Sequence, residues 1–188
     1  MKDISLHMLD IVENSVRAEA KNIAVEVAED TRADTLSMTV SDDGKGMSPE
    51  LVQRVSDPFV TSRTTRKVGL GIPLLRSNAE QSGGYVVLTS KLGEGTRIQA
   101  VFGLTNIDRP PLGNIAETMA SLILCNPDLE FRYVHRRDGE EIVLDTREMR
   151  EILGPEVPLS DPSVAEWVRA YLQENIVSLH GGADYEVY

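Results

Sequence analysis

The sequence predicts an α+β fold: a two-layer sandwich with helices over one face of a mixed β-sheet, followed by a small α/β extension. Three observations predict it. Apolar residues recur at three- and four-residue steps in the opening segment, they alternate with polar residues in four later segments, and the order runs helix, hairpin, loop, helix, hairpin up to Phe102.

Asp3 to Ala20 contains no Gly or Pro and repeats Ile4, Met8, Ile11, Val12 and Val16 at helical steps, with Asp3 or Ser5 available as the cap. Asn22–Val27 and Thr35–Val40 alternate as half-buried strands do, and the short polar connection between them makes the pair an antiparallel hairpin. Asp42-Asp43-Gly44-Lys45-Gly46 breaks the sheet, and Ser48-Pro49-Glu50 opens a short helix with Pro in its first turn. Asp57 to Val68 is polar, basic and without period, which reads as a mobile loop. Gly71–Ser82 suits a helix ended by Gly83-Gly84, and Tyr85–Ser90 with Thr96–Phe102 form a second hairpin.

Thr105–Pro111, with two prolines, reads as a linker, which divides the chain into a domain of residues 1–105 and an extension of residues 106–188. The extension reads as a helix near Ile115–Leu124, a hairpin of Leu129–Val134 and Glu141–Leu144, and two shorter helices near Thr146–Leu153 and Val164–Asn175.

Bulk properties set outer limits. With 188 residues, 41% hydrophobic and 26% charged, the chain fits a soluble globular protein of one domain or one domain with an appendage. No apolar run approaches the roughly 20 residues that span a bilayer, and the N-terminus lacks the apolar core of a signal peptide. The single cysteine, Cys125, excludes an internal disulfide and reads as a buried small hydrophobe, so the cytoplasm is the expected compartment. A net charge of −11 excludes generic binding to nucleic acid or anionic membrane. Most of that charge lies in residues 106–188, which carry 7 Lys and Arg against 16 Asp and Glu.

Three groups of residues carry chemistry. On the first helix His7, Asp10, Asn14 and Arg17 fall within an arc of roughly 80° at about 100° per residue, either a solvated face or a site. Asp42-x-Gly44-x-Gly46 follows a strand, where glycines let backbone approach a flat ligand and a carboxylate can accept from an exocyclic amine. Gly69-Leu70-Gly71 opens a helix whose free N–H groups favour phosphate, with Arg63, Arg66 and Lys67 just before it, and Gly93-Glu94-Gly95-Thr96 follows. His135 and His180 stand isolated, and no cluster has metal-ligand spacing. Trp167 and Tyr171, four apart on the last helix, read as packing residues.

In order, Asp10-x-x-x-Asn14, Asp42-x-Gly44-x-Gly46, Asp57-Pro58-Phe59, Gly69-x-Gly71 and Gly93-x-Gly95-Thr96 resemble the N, G1, F, G2 and G3 boxes of the GHKL ATPases, the superfamily of histidine kinases, gyrase and mismatch-repair ATPases. The resemblance covers about residues 4–102 and implies the Bergerat ATP-binding fold with ATP and Mg²⁺ as ligands. It implies that Asn14 coordinates Mg²⁺, that Asp42 accepts from the adenine amine, and that Thr96 supports this contact. Arg17 falls near the phosphates, Gly44 and Gly46 admit the base beside Met47, and residues 57–70 form a lid in which Phe59 anchors the hinge. Arg63, Lys67, Gly69, Leu70 and Gly71 then meet the phosphates.

Two departures stand out. The family carries Glu where this chain has Asp10, and a candidate base one methylene shorter implies slow hydrolysis, since a misplacement of about 1 Å can cost around 10²-fold. Lys67-Val68 replaces a further glycine common in histidine kinases. Asn126–Tyr133 is similar to a strand pair beyond the ATP domain of mismatch-repair ATPases, or is an unrelated sheet-extending or partner-binding element. With the first box within ten residues of Met1, the expectation is that no phosphoacceptor hairpin precedes it. The expectation is a stand-alone regulatory protein that hydrolyses ATP slowly or phosphorylates a separate protein, as anti-sigma-factor kinases do; the alternative is a non-catalytic ATP switch. A protein partner is expected, and a homodimer stays open.

Overall fold

The computed structural model describes residues 3–56 and 71–182. Among the described residues six helices and six strands follow in the order α1 Ile4–Arg17, β1 Asn22–Asp30, β2 Thr35–Asp42, α2 Pro49–Ser56, α3 Gly71–Gln81, β3 Tyr85–Lys91, β4 Gly95–Gly103, α4 Ile115–Cys125, β5 Glu130–Arg137, β6 Glu140–Asp145, α5 Thr146–Leu153 and α6 Pro162–Leu179.

All six strands form one mixed sheet in the order β3-β4-β2-β1-β5-β6. The two hairpins of residues 22–103 pair antiparallel, with β2 against β4 at the centre. β5 joins β1 in parallel, a pairing that requires a crossover, and α4 supplies it. The β5–β6 hairpin of the extension therefore continues the same sheet.

The register sorts the side chains into rows. Val25 pairs with Val40 and Tyr133, and Val40 pairs with Ile98. Val27 pairs with Met38 and His135 in the next row. This face meets Ile4, Met8 and Val12 of α1, Leu75 of α3, Met119 and Ile123 of α4, and Val168 and Leu172 of α6 in one contiguous core. Opposite-facing residues such as Ala24, Arg97 and Arg132 are exposed, so period-2 alternation maps onto helix side and open side.

Asp3, rather than Ser5, caps α1: its carboxylate accepts from the Leu6 N–H at 2.9 Å, while the Ser5 hydroxyl donates to Asp3. The expected linker is tied down, because the Ile4 and Ser5 N–H groups donate to the Pro111 and Leu112 carbonyls at 2.9 Å each. α6 is longer than its predicted span. Its 18 residues continue the stripe Val164, Val168, Leu172, Ile176 until Gly181-Gly182 stops it. Cys125, expected inside, is exposed, because it ends α4 beyond the last buried residue, Ile123. Trp167 is 52% exposed and stacks on half-buried Tyr171, which alone of the two packs against the core. No described helix is long and apolar enough to cross a membrane.

A single hydroxyl couples the extension's hairpin to its next helix. Thr146, fully buried at the start of α5, accepts from the Phe131 N–H at 2.9 Å and donates to the Glu130 carboxylate at 2.6 Å. Thr146→Val keeps the shape and strands the Phe131 N–H, so urea titration should show a loss of about 1–3 kcal/mol.

Candidate nucleotide site

The candidate residues meet where the N-terminal helix crosses the end of the sheet. Asp42 ends β2 and pairs with Thr96 of β4, which pairs with Ser90 of β3, so the three occupy one row on the helix side. Asp42 is held at both oxygens: Ser15 of α1 donates its hydroxyl to Oδ2 at 2.6 Å, and the Gly44 N–H donates to Oδ1 at 2.9 Å. The Ser90 and Thr96 hydroxyls lie 2.9 Å apart, and the Met47 N–H donates to Ser90 Oγ at 2.9 Å. Both sides of a carboxylate and a hydroxyl pair are thus fixed before any ligand arrives. The neighbouring Asp43 does a different job. Its carboxylate accepts from the Lys21 and Asn22 N–H groups at 2.7 and 2.8 Å and fastens the start of β1. Burial pushes its carboxyl up, but the hydrogen bonds from Asn22 and Lys21 outweigh it and hold it below the usual range.

Glycines make the close approach. Gly46 has φ +63°, and a Cβ there would lie 2.0 Å from the Lys91 carbonyl; Gly95 has φ +103°, and its Cβ would lie 1.9 Å from the Asp42 carbonyl. Left-handed backbone against a facing strand leaves room for no other residue at either position.

Along α1 the residues at four-residue steps address different parts of this junction. Ala18 packs on Gly44 and accepts from the Lys45 N–H at 2.9 Å. Asp10 packs on Gly71, the first residue of α3: a Cβ on Gly71 would sit 1.6 Å from Asp10 Oδ2. Asn14 lies between these two contacts on the same helix face. Asp10 Oδ2 is buried without a hydrogen-bond partner among the described residues, and a buried carboxylate oxygen aimed at a helix N-terminus marks a place for a polar or cationic ligand. The Asn14 amide oxygen is a hard donor of the kind that Mg²⁺ takes. Arg17 is exposed and donates from Nη1 to Asn14 Oδ1 and from Nη2 to Glu13, both at 2.8 Å. Arg17 thus holds the oxygen that a magnesium ion would need. Glu13 is exposed and engaged away from the junction.

His7 does not belong to the exposed stripe. It is 1% exposed, and its Nε2 lies 2.8 Å from Asn78 Nδ2 of α3. Since that amide nitrogen donates, the ring accepts and stays neutral. Burial is the largest cause that lowers its pKa, to about 4. A buried neutral imidazole joined to α3 is a poor phosphoacceptor. Phe59, Arg63, Lys67, Gly69 and Leu70 lie outside the described residues. Ser15, Ser90 and Asn78 were missed in the sequence; the only signal was a serine, Ser15, inside the apolar stripe of α1. His135 and His180, read as isolated, meet at Glu29 on the far side of the core.

Comparison with known proteins bears on the family and the fold. The profile described as "Histidine kinase-, DNA gyrase B-, and HSP90-like ATPase" matches residues 2–106, more than half of the chain. Sensor protein kinase FleS of Pseudomonas aeruginosa is 36% identical over 110 residues, covering 58% of this chain and 27% of the kinase. Histidine protein kinase DivJ of Caulobacter vibrioides is 32% identical over 95 residues, covering 48% of this chain and 16% of the kinase. The chain therefore spans a minor part of either kinase. Among solved structures, the Aquifex aeolicus MutL ATPase domain complexed with ADP superposes with a TM-score of 0.50 at 16% identity, over 90% of this chain and 88% of that one. The N-terminal domain of a DNA repair protein gives a TM-score of 0.55 at 14% identity, over 82% and 58%. These two likenesses concern the fold.

Gly71→Ala must displace the Asp10 carboxylate, so any ATP turnover that runs through Asp10 should fall by roughly 10²-fold; an unchanged rate would detach Asp10 from that role. His7 sets a pH dependence. Its folded pKa is depressed, so the unfolded state binds the extra proton between pH 6.5 and about 4, and stability declines as pH falls through that window. The slope is at most about 1.4 kcal/mol per pH unit. Urea titrations across these pH values should show a shallower decline for His7→Gln than for the wild type.

Proposed function

This chain belongs to the histidine kinase-, DNA gyrase B- and HSP90-like ATPase family, and on that premise we propose that it is a cytoplasmic Mg·ATP-binding regulatory protein that hydrolyses ATP slowly or passes its γ-phosphate to a separate protein. The observation that carries the reading is the Ser15–Asp42 hydrogen bond at 2.6 Å, which joins the helix bearing Asp10 and Asn14 to the strand end bearing Asp42.

Each residue has one task. Asp42 accepts from the adenine amine, and its two hydrogen bonds, from Ser15 and Gly44, keep it aimed there. Thr96, hydrogen-bonded to Ser90, lies beside Asp42 in the row and supports the base directly or through water. Asn14 offers its amide oxygen to magnesium once Arg17 releases it, and the freed guanidinium turns toward the phosphates. Bound magnesium supplies neutralisation of the phosphate charge. Asp10 takes the proton of the attacking water or hydroxyl; its burial against Gly71 keeps it close to the start of α3.

The protein partner is met by residues 106–188. Support comes from an apolar cleft of about 340 Å³ between α5 and α6, bordered by Met149, Leu153, Val157, Val164, the 85%-exposed Ile152 and the half-exposed Trp167.

A second reading, an ATP-dependent switch without catalysis, is favoured by one observation: the acid at position 10 is Asp, and it backs onto Gly71. Incubation with γ-labelled ATP separates the two. Steady phosphate release or label on a second protein supports the enzyme; tight binding with neither supports the switch. Asp10→Asn should reduce turnover by roughly 10²-fold or more if Asp10 is the base, and an unaffected rate removes it from that role. Asn14→Ala should abolish the magnesium dependence of ATP binding in a thermal-shift assay, and persistence of that dependence would overturn the metal assignment.

A further inference from the structure

Away from the nucleotide site, one buried group of side chains has no part in the chemistry above. Glu29 near the end of β1, His135 on β5 and His180 at the C-cap of α6 converge, with side chains 4%, 0% and 2% exposed. His135 Nε2 and His180 Nε2 each lie 2.9 Å from the same oxygen, Glu29 Oε1. The three ligand atoms fall within 4.8 Å of one another. Arg137 donates to the other oxygen, Oε2, at 2.8 Å and leaves Oε1 to the two rings.

The outer nitrogens decide what the inner ones can be. His180 Nδ1 lies 2.8 Å from the Ile176 carbonyl, which only accepts, so Nδ1 carries a hydrogen. In a neutral ring Nε2 is then a bare lone pair aimed at a carboxylate oxygen. Two electron-pair donors at 2.9 Å need a cation between them, either a proton or a metal ion. His135 can present the same bare nitrogen, because Tyr133 Oη lies 2.9 Å from its Nδ1 and can accept from it. Each imidazole is thus oriented by a hydrogen bond on its far side, the outer-shell arrangement of metal-binding histidines.

We propose that Glu29 Oε1, His135 Nε2 and His180 Nε2 bind one divalent transition-metal ion of the zinc class. Two imidazoles and a carboxylate are a donor set suited to Zn²⁺. Tetrahedral bonds of about 2.0–2.1 Å put ligand atoms roughly 3.3 Å apart, so the 2.9 Å separations need to open by only a few tenths of an ångström. Three protein ligands leave a fourth position for water. The ligands come from β1, β5 and the end of α6, so the ion clasps the last helix to the sheet. Local opening at that helix end admits it.

The test uses the whole chain, stripped with a chelator and titrated with ZnCl₂ alone and CoCl₂ alone. Calorimetry should give one equivalent of Zn²⁺, zinc should raise the melting temperature, and Co²⁺ should develop the intense visible bands of a four- or five-coordinate site. His135→Gln and His180→Gln should each weaken metal binding by at least about 100-fold while leaving ATP affinity unchanged. Absence of both the stoichiometric heat and the cobalt bands in the natively folded wild type would mean that a proton fills the gap, and would overturn the proposal. Full-strength zinc binding by the double glutamine variant would place the ion elsewhere and overturn it equally. Should the variants misfold, the wild-type cobalt spectrum decides: the pale bands of octahedral coordination count against the site.

Discussion

A short hydrogen bond between a helix and a strand end organises the molecule. Ser15 donates to Asp42 at 2.6 Å from within the buried side of α1. Without it, a half-buried carboxylate at the rim of the core would lose one of the two donors that offset its desolvation. With it, the rotation of α1 about its axis is fixed. Asp10, Asn14 and Ala18 must then face the junction, where Gly71 and Gly44 are small enough to receive them. The bond and the buried stripe Ile4, Met8, Ile11 and Val12 turn the same face of α1 inward, and the two glycine contacts follow from that face.

Much of this was legible in the sequence because it is written locally. Asp42, Gly44 and Gly46 sit within five residues, and the steric demands that make each glycine necessary arise from chain segments that the hairpin register brings together. Helix and strand periods gave the described elements to within a few residues for the same reason. What stayed hidden depends on distance along the chain. Glu29 lies 106 residues from His135 and 151 from His180; the parallel pairing of β1 with β5 brings in the first and the end of α6 brings in the second. No spacing rule reaches across such a gap. Cys125 misled because the apolar run of α4 continues past the point where the helix leaves the core. Ser15 was unreadable for the opposite reason, since a serine in an apolar stripe looks like noise until its partner is known.

The exchange at Asn14 deserves physical weight. An exposed guanidinium now holds the amide oxygen at 2.8 Å, an interaction between solvated groups that is worth little on its own. On the function proposed above, a doubly charged ion bound to phosphate would displace it, and Arg17 would meet the anion that arrives with the ion. On that proposal one side chain would be placeholder before binding and ligand afterwards.

The parallel pairing of β1 and β5 reaches further than the geometry of the sheet. Its register joins residues more than a hundred positions apart, so closing this seam carries a loop-closure cost that local hairpins do not. During synthesis, the first hundred residues emerge with the backbone of β1 open along one side, a ready template for another chain. A polypeptide ending near residue 106 would contain every nucleotide-facing residue assigned above and still carry that naked edge. The edge of β1 and the residues assigned to the nucleotide thus lie in one stretch of chain, and the strand that covers that edge lies in the other.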